Sequence, residues 1–335
     1  MSTHQPPTSP ARRSRATARK RGRLSFSPQP TNCLEERLLL SGVTTLARHV
    51  KVPGLHTRRN SQPAVQIERN ITYTLADGRP EQLDVYVPGS SPPPGGWPVI
   101  VAIHGGGWRR LDKSQYGPRI ASAFVPAGYA VVAPNYPLSA PGAPTWPLSL
   151  EDLQTALRWV RQSAGTFHFN STRIAAMGES AGANLANLLG TSSGSSGSNG
   201  SENSAAVEAV ISFSAPTDLA SLYAESPLVG KAVAQFLGGT PTAIPANYRA
   251  ASPVDQVQAN DPPTFLVHGA DDPLVPPSQS QEMAAALTQA GVPNRLVLVP
   301  GGGHNLDFPT MTPRSLLSQI LEFLSAAWKD KTSLS

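Results

Sequence analysis

The stretch 173–189, RIAAMGESAGANLANLL, decides the fold, because it combines a strand, a sharp turn and a helix in immediate succession. Its first five residues predict a buried strand and its last nine predict a helix. Ser180 lies in the turn beside Glu179, with Gly178 and Gly182 two residues away on either side. A serine in a strained strand-to-helix turn needs such small neighbours, since the strand and the helix crowd it. A glycine-rich turn without chemistry is the alternative interpretation of these five residues.

Strands and helices alternate on both sides of this stretch. Strands are predicted at Val65–Leu75, Gln82–Val87, Pro98–His104, Tyr129–Asn135, Arg173–Met177, Val207–Ser214, Thr264–His268 and Arg295–Val299. Helices are predicted at Leu150–Ala164, Ala181–Leu189, Ser278–Ala290 and Arg314–Trp328. This alternation predicts an α/β domain over 61–335, with a mostly parallel central sheet and helices on both of its faces.

Three segments depart from the alternation. Residues 1–60 are rich in Pro, Ser, Thr and Arg and are predicted to form a disordered basic N-terminal segment. Residues 191–204, TSSGSSGSNGSENS, have the composition of a flexible loop. Residues 216–252 have weak periodicity and stand between two predicted strands, so they are a candidate cap over a site. A plain surface excursion is the alternative for this last segment.

Charge is distributed unevenly along the chain, whose net charge is +5. Residues 1–60 contain 12 Lys and Arg against 2 acids, whereas 61–335 contain 15 against 20. A mildly acidic domain lacks the basic face that nucleic-acid binding requires, so no nucleic-acid partner is expected. The apolar runs are strand-sized, which predicts no integral membrane segment. The single cysteine, Cys33, excludes an intramolecular disulfide framework and a thiolate metal cluster.

A second glycine-rich motif, His104-Gly105-Gly106-Gly107-Trp108, follows the end of a predicted strand. Consecutive glycines let backbone N–H groups converge on one point, as the binding of a developing oxyanion requires. A phosphate-binding loop is the competing interpretation, but the Gly-Lys-Ser/Thr ending of such a loop is missing. The histidine is predicted to brace the loop rather than to transfer protons.

Two later loops supply carboxylates and an imidazole. Asp271 and Asp272 follow a predicted strand within HGADDPLVP, and Asp218 follows the strand before it. His304 comes after three glycines and after the last predicted strand, a position that core packing explains poorly. Together with Ser180, these residues appear in the order nucleophile, acid and base, which indicates nucleophilic catalysis.

These motifs, with DVYVP at 84–88 and PNYPL at 134–138, resemble the esterase and lipase group of the α/β-hydrolases. The resemblance covers about 82–328, and the BD-FAE-like (feruloyl-esterase-like) and hormone-sensitive-lipase-like branches are the most similar. It implies an α/β-hydrolase fold with GESAG as the nucleophile elbow. It also selects Asp272 as the acid, because relatives place that Asp three residues before Val-Pro. Ala183, where many relatives have a third glycine, and the Ser/Gly insertion after the elbow helix are departures that leave the substrate pocket undetermined.

The same resemblance implies a function. Ser180, Asp272 and His304 would form a catalytic triad, and the N–H groups of Gly106, Gly107 and Ala181 would form the oxyanion hole. The expected protein is a serine carboxylic-ester hydrolase for short acyl esters, with acetyl and feruloyl esters of polysaccharides as candidate substrates. Its partner would be a small-molecule or carbohydrate-linked ester, without a metal or an organic cofactor, and the oligomeric state stays open.

Two alternatives remain at this stage. Related branches of the group hydrolyse amide bonds, so an amide is an alternative substrate within the same class. A non-catalytic binding module is the alternative from another class. The presence of all three triad residues argues against it, because modules that lose activity usually lose one of them.

The N-terminal segment carries a second resemblance. Residues 34–41, LEERLLLS, resemble the LEPRxLLS-type motif near the N-terminus of many planctomycete proteins and depart from it at Glu36. This favours export or display at the cell surface, although a conventional signal peptide needs a longer apolar stretch than Leu38–Leu40. A short amphipathic helix or a plain linker, in a cytoplasmic protein, is the alternative.

Overall fold

A computed structural model describes residues 65–76, 78–192, 201, 203–305 and 313–329. They contain one sheet of eight strands in the order β1-β2-β4-β3-β5-β6-β7-β8. The strands are β1 Gln66–Ala76, β2 Arg79–Val87, β3 Trp97–Ile103, β4 Ala130–Pro134, β5 Phe169–Glu179, β6 Ala209–Phe213, β7 Thr264–Gly269 and β8 Asn294–Val299. β1 and β2 pair antiparallel with each other, and β2 pairs antiparallel with β4. All other pairs are parallel, so the predicted mostly parallel sheet is confirmed.

Helices and short helical turns connect the strands. They are α1 Lys113–Phe124, α2 Leu148–Gln162, α3 Ala164–Phe167, α4 Ala181–Thr191, α5 Leu219–Glu225, α6 Pro227–Leu237, α7 Pro245–Ala250, a 3-10 turn Pro253–Gln256, α8 Ser278–Gln289 and α9 Pro313–Lys329. None of the helices in the described ranges is long and apolar enough to cross a membrane.

The sheet is buried on both faces, as the α/β prediction requires. Val99, Val101 and Ile103 of β3 pack on one face with residues of α2, α4 and α6. Ile100 and Ala102, which alternate with them along the strand, pack on the other face with residues of α1 and α9. Side chains of a strand point alternately to its two faces, so a continuous apolar run belongs to a strand covered on both sides.

The sequence prediction missed α1, the short α3 and the helices α5, α6 and α7 within 216–252, and it misplaced several ends. Gly117 and Pro118 interrupt the apolar pattern of α1, although Asp112 and Gln115 form a capping box at its start. Gly117 is required because a Cβ there would come within 2.7 Å of the Ala133 Cβ on β4. β5 begins at Phe169, four residues before the predicted start.

Parts of the predicted segments lie outside the described residues, namely 1–60, Asp77 of the predicted turn before β2, and residues 193–200 and 202 of the predicted loop. At the ends of that loop, Thr191 still belongs to α4 and is buried. Ser204 is also buried, and its carbonyl oxygen accepts a hydrogen bond from Arg161 at 3.2 Å. The helix therefore continues into the first residue of the predicted loop.

Candidate active site

The turn after β5 holds Ser180 in a left-handed backbone conformation, with φ +55° and ψ −122°. Such a conformation is strained for a residue that carries a Cβ. The Ser180 N–H donates to the Phe213 carbonyl of β6 at 2.8 Å, which fixes the turn on the sheet. A Cβ at Gly182 would collide with the carbonyl oxygens of Ile103 and His104, so the helix can approach β3 only with glycine there. The predicted strand, strained turn and helix are all present.

Three predicted side chains meet at the carboxyl ends of the parallel strands. The His304 Nε2 lies 2.9 Å from the Ser180 Oγ, and its Nδ1 lies 2.7 Å from the Asp272 Oδ2. Ser180 follows β5, Asp272 follows β7 and His304 follows β8. Carboxyl ends of parallel strands are where loops from distant parts of a chain converge.

The structure separates Asp272 from the other two candidate acids. Asp271 is exposed, and its backbone N–H donates to the Gly302 carbonyl. The Asp218 carboxylate caps α5 by accepting from the N–H groups of Ala220 and Ser221 at 2.9 and 3.0 Å. Of the three, Asp272 alone contacts the imidazole of His304.

The Asp272 carboxylate is completely buried and surrounded by donors. Its Oδ1 accepts from the backbone N–H groups of Leu274 and Val275 at 2.9 and 3.0 Å. Its Oδ2 faces the His304 Nδ1 and also the His268 Nε2, the latter at 3.2 Å. Burial alone would raise the pKa of Asp272, but hydrogen bonds from His268, His304 and Val275 hold it well below its usual range. The group is therefore an ionised acceptor, which assigns the Nδ1 proton to His304 and leaves the Nε2 lone pair facing Ser180.

His268 is a member of this site to which the sequence analysis gave no role. It is fully buried at the end of β7, with its Nδ1 2.6 Å from the Ser280 Oγ and its Nε2 2.9 Å from the Val275 carbonyl oxygen. Since a carbonyl oxygen only accepts, the Nε2 carries a proton, and the same proton faces Asp272. The sequence contained one signal for a role of His268, namely its position at the end of the apolar strand TFLVHG. A buried imidazole there needs polar partners.

The glycine loop lies beside Ser180. Gly106 has φ +102°, and a Cβ on it would collide with the Arg110 carbonyl oxygen, so the loop needs glycine at that position. Within the described part of the chain, no backbone carbonyl accepts from the N–H groups of Gly106, Gly107 or Ala181. The Ala181 N–H belongs to the first turn of α4, where such groups have no partner within the helix. No backbone acceptor in the described ranges therefore competes for these three N–H groups.

His104 stands at the start of this loop and is buried. Its ring stacks on Tyr136 with 4.4 Å between centroids, and its Nδ1 lies 2.9 Å from the Gly105 carbonyl oxygen. The Tyr136 hydroxyl donates to the His104 carbonyl at 2.9 Å. Burial lowers the pKa of His104, so the ring is neutral and held in place. Trp108 fixes the other end of the loop by stacking on Phe236 of α6 at 4.8 Å.

A cavity of about 730 Å³ opens above these groups. Its floor contains Ser180, His304 and the glycine loop, and one wall consists of Leu228, Val229 and Ala232 of α6. Arg119 of α1 forms an ion pair with Glu179 beside the elbow. In the described ranges, no group of three His, Cys, Asp or Glu side chains is placed to hold a metal ion.

Known proteins share this architecture. Esterase LipQ of Mycobacterium tuberculosis is 29% identical over 304 residues, which are 89% of this chain and 70% of LipQ. A truncated carbohydrate esterase from gut microbiota superposes with a TM-score of 0.69 at 24% identity, over 81% of this chain and 98% of that chain. An acetyl ester-xyloside bifunctional hydrolase from Caldicellulosiruptor lactoaceticus superposes with a TM-score of 0.60 at 26% identity, over 76% of this chain and 88% of that chain.

The fold and these relatives define a carboxylic ester hydrolase of the α/β-hydrolase class. Residues 83–287 match the BD-FAE family. The chain belongs to that family, and the resemblance found in its motifs is confirmed.

Proposed function

We propose that this chain hydrolyses short acyl esters with Ser180 as nucleophile, His304 as base and Asp272 as the group that orients the base. The observation that carries the proposal is the continuous hydrogen-bonded series Ser180 Oγ, His304 and Asp272, with separations of 2.9 and 2.7 Å. Within this class, the series supplies both a base for the hydroxyl and a fixed partner for the base.

The reaction follows from the atoms present. Ser180 Oγ attacks the acyl carbon while its proton moves to the His304 Nε2, and the carbonyl oxygen becomes an oxyanion held by the N–H groups of Gly106, Gly107 and Ala181. The imidazolium is stabilised by Asp272 and returns the proton to the leaving alcohol, which leaves an acyl-enzyme. Water then attacks the acyl carbon by the same route and releases the carboxylic acid.

We infer that the natural substrates are acyl groups on carbohydrates, acetyl or feruloyl among them. Membership of the BD-FAE family and the likeness to the acetyl ester-xyloside bifunctional hydrolase of Caldicellulosiruptor lactoaceticus support this class. The volume of about 730 Å³ is large enough for an acyl group together with a sugar ring. We also propose that residues 216–252 act as a cap, because α6 lies in this segment and forms one wall of the cavity.

The test compares wild type with Ser180→Ala and with Ser122→Ala, an exposed serine on α1. Activity on p-nitrophenyl acetate should fall by about 10³-fold or more in Ser180→Ala and stay unchanged in Ser122→Ala. A fluorophosphonate probe should phosphonylate wild type with loss of fluoride, which mass spectrometry detects, and should not modify Ser180→Ala. Folded Ser180→Ala that keeps more than a few per cent of the activity would contradict the proposal.

The acyl preference is a separate measurement. Wild-type rates on p-nitrophenyl esters from acetyl to dodecanoyl should be highest for the short chains. Release of acetate from acetylated xylan and of ferulate from methyl ferulate distinguishes the two carbohydrate-linked acyl groups. A preference for dodecanoyl esters would replace the short-acyl assignment with a lipase-like one.

A further inference from the structure

The described lining of the cavity above Ser180 has a charge opposite to that of the domain as a whole. Residues 61–335 contain 15 Lys and Arg against 20 Asp and Glu. Among the residues that the structure describes, the cavity lining nevertheless includes three arginines, Arg109, Arg110 and Arg119, against one acid, Glu179. A cationic concave surface in a net acidic domain indicates a ligand of negative charge, because a cleft focuses the field of its own charges.

The three arginines differ in their surroundings. Arg119 pairs with Glu179, so its charge is compensated at the elbow. Arg109 and Arg110 are exposed, and neither side chain forms a hydrogen bond or an ion pair with any residue that the structure describes. Within the described lining, the positive charge that no acid compensates therefore comes from these two neighbouring residues.

The position of Arg109 relates this charge to the reacting centre. Its Nε and Nη2 would lie 3.9 and 4.0 Å from a Cβ built on Gly107, so the guanidinium folds back over the glycine loop. Gly107 is one of the proposed oxyanion donors. An acidic group only a few bonds from a scissile carbonyl held by this loop would come within reach of Arg109. Other parts of the wall, such as Leu111, Leu228 and Leu274, are apolar and offer such a group no competing charge.

We propose that Arg109 and Arg110 form an anion-binding subsite, and that the enzyme prefers esters that carry a carboxylate or sulfate close to the scissile bond. This inference rests on the proposed function and narrows its substrate class. The negative group could belong to the alcohol part, as in an acylated acidic sugar, or to the acyl part, as in a monoester of a dicarboxylic acid. Guanidinium groups suit both, since they stay charged at all working pH values and bind carboxylate and sulfate oxygens through paired N–H groups.

Two matched pairs of esters test the subsite on the full chain. Mono-(p-nitrophenyl) glutarate against p-nitrophenyl pentanoate places the charge in the acyl part. 4-Acetoxybenzoate against its methyl ester places the charge in the alcohol part. The readout is the ratio of kcat/KM for the charged and the neutral member of each pair, in wild type, Arg109→Gln/Arg110→Gln, Arg109→Lys/Arg110→Lys, and the control Arg249→Gln on α7, outside the cavity lining.

For at least one pair, the wild-type ratio should exceed that of the double Gln variant by about tenfold, the size expected for a charge-assisted contact. The double Lys variant should recover part of the ratio, and Arg249→Gln should match wild type. The pair that responds identifies the part of the substrate that carries the charge. Because both arginines are exposed, the wild-type ratio should also fall as salt is added.

Ratios that are the same in wild type and the double Gln variant for both pairs would overturn the subsite. If the neutral esters are then still hydrolysed in a Ser180-dependent way, the proposed function stands without it. If none of the four esters is hydrolysed in a Ser180-dependent way, both proposals fail.

Discussion

Asp84 on β2 and Asp272 after β7 have carboxylates that are buried to nearly the same extent. The groups that contact these two carboxylates differ in kind. Asp84 accepts from the Lys113 Nζ at 2.6 Å and from the backbone N–H of Asn70 at 2.9 Å, and its other oxygen lies 3.3 Å from Arg69. Its charged partners are thus a lysine and an arginine. Asp272 instead contacts two imidazoles and two backbone N–H groups.

The difference in partners distinguishes a carboxylate with a structural role from one that is suited to a chemical role. A lysine or arginine places a fixed positive charge against a carboxylate, and the Asp84 cluster joins β1, β2 and the start of α1 at the antiparallel edge of the sheet. An imidazole changes its charge near neutral pH, so a carboxylate that faces one can stabilise a charge that exists only during a reaction. Burial alone would not distinguish these two groups, whereas the nature of the donors does.

The largest expected effect is the loss of turnover when Asp272 is replaced. Asp272→Asn should lower kcat by about 10⁴-fold, because the amide no longer favours the His304 tautomer whose Nε2 accepts the serine proton. Asp271→Asn is the matched control and should stay within a few-fold of wild type, since that side chain is exposed. Steady-state kinetics on p-nitrophenyl acetate measures both variants. A larger loss in Asp271→Asn would transfer the role to the neighbouring acid.

The second expected effect is a loss of stability, without a loss of turnover, when Asp84 is replaced. Asp84→Ala leaves the buried Lys113 ammonium without its carboxylate, which should cost about 3–5 kcal/mol of unfolding free energy. Urea unfolding measures the loss, and kcat per folded molecule should stay at the wild-type value. Glu68→Ala, at an exposed position on β1, is the control and should stay within about 0.5 kcal/mol. Loss of turnover in folded Asp84→Ala would remove the distinction between the two carboxylates.

Much of this arrangement follows from the sequence, for reasons that differ between residues. The positions of Ser180 and the glycine loop were predictable because they depend on local backbone shape, which short motifs determine. Most strands were found because buried strands are continuous apolar runs. Helix α1 was missed because its Gly117 and Pro118 act as breakers in isolated chains, and only the close approach of β4 explains the glycine.

The remaining features depend on contacts between distant residues. The two neighbouring acids, Asp271 and Asp272, differ only in which one points inward after β7, and the choice between them from sequence rested on family resemblance. The roles of His268 and Tyr136 depend on residues that fold against them from other loops. The amino-acid sequence alone contains no local pattern that identifies such partners.

A third prediction concerns the His268 imidazole, one of the hydrogen-bond donors that contact the Asp272 carboxylate. His268→Leu should lower kcat by about tenfold with a smaller change in KM, because His268 contacts the Asp272 carboxylate and does not line the cavity. With one hydrogen-bond donor fewer, the carboxylate is held less firmly in the orientation that faces His304. His268→Gln retains a donor and should recover part of the loss in kcat.

Ser280→Ala provides a milder version of the same test, since it removes only the hydroxyl that lies 2.6 Å from the His268 Nδ1. It should lower kcat by less than His268→Leu does, again with a smaller change in KM. An unchanged kcat in all three variants would reduce His268 to a packing residue.

The smallest effect concerns a third kind of carboxylate environment, in which the neighbour is another acid. Burial, and then the charge of Asp152, raises the pKa of Glu81 to about 7 from an ordinary value of 4.5. The folded chain therefore favours the protonated form, and it loses stability as pH rises from about 4.5 through about 7. Glu81→Gln cannot ionise, so it should melt about 1–3 °C above wild type at pH 8 and at the same temperature as wild type near pH 4.5. Glu151→Gln, exposed on α2, is the control for the effect of the amide substitution itself. An equal difference in melting temperature at both pH values would mean that packing, rather than ionisation, determines how Glu81 contributes to stability. The like charge of Asp152 would then not distinguish Glu81 from Asp84 and Asp272.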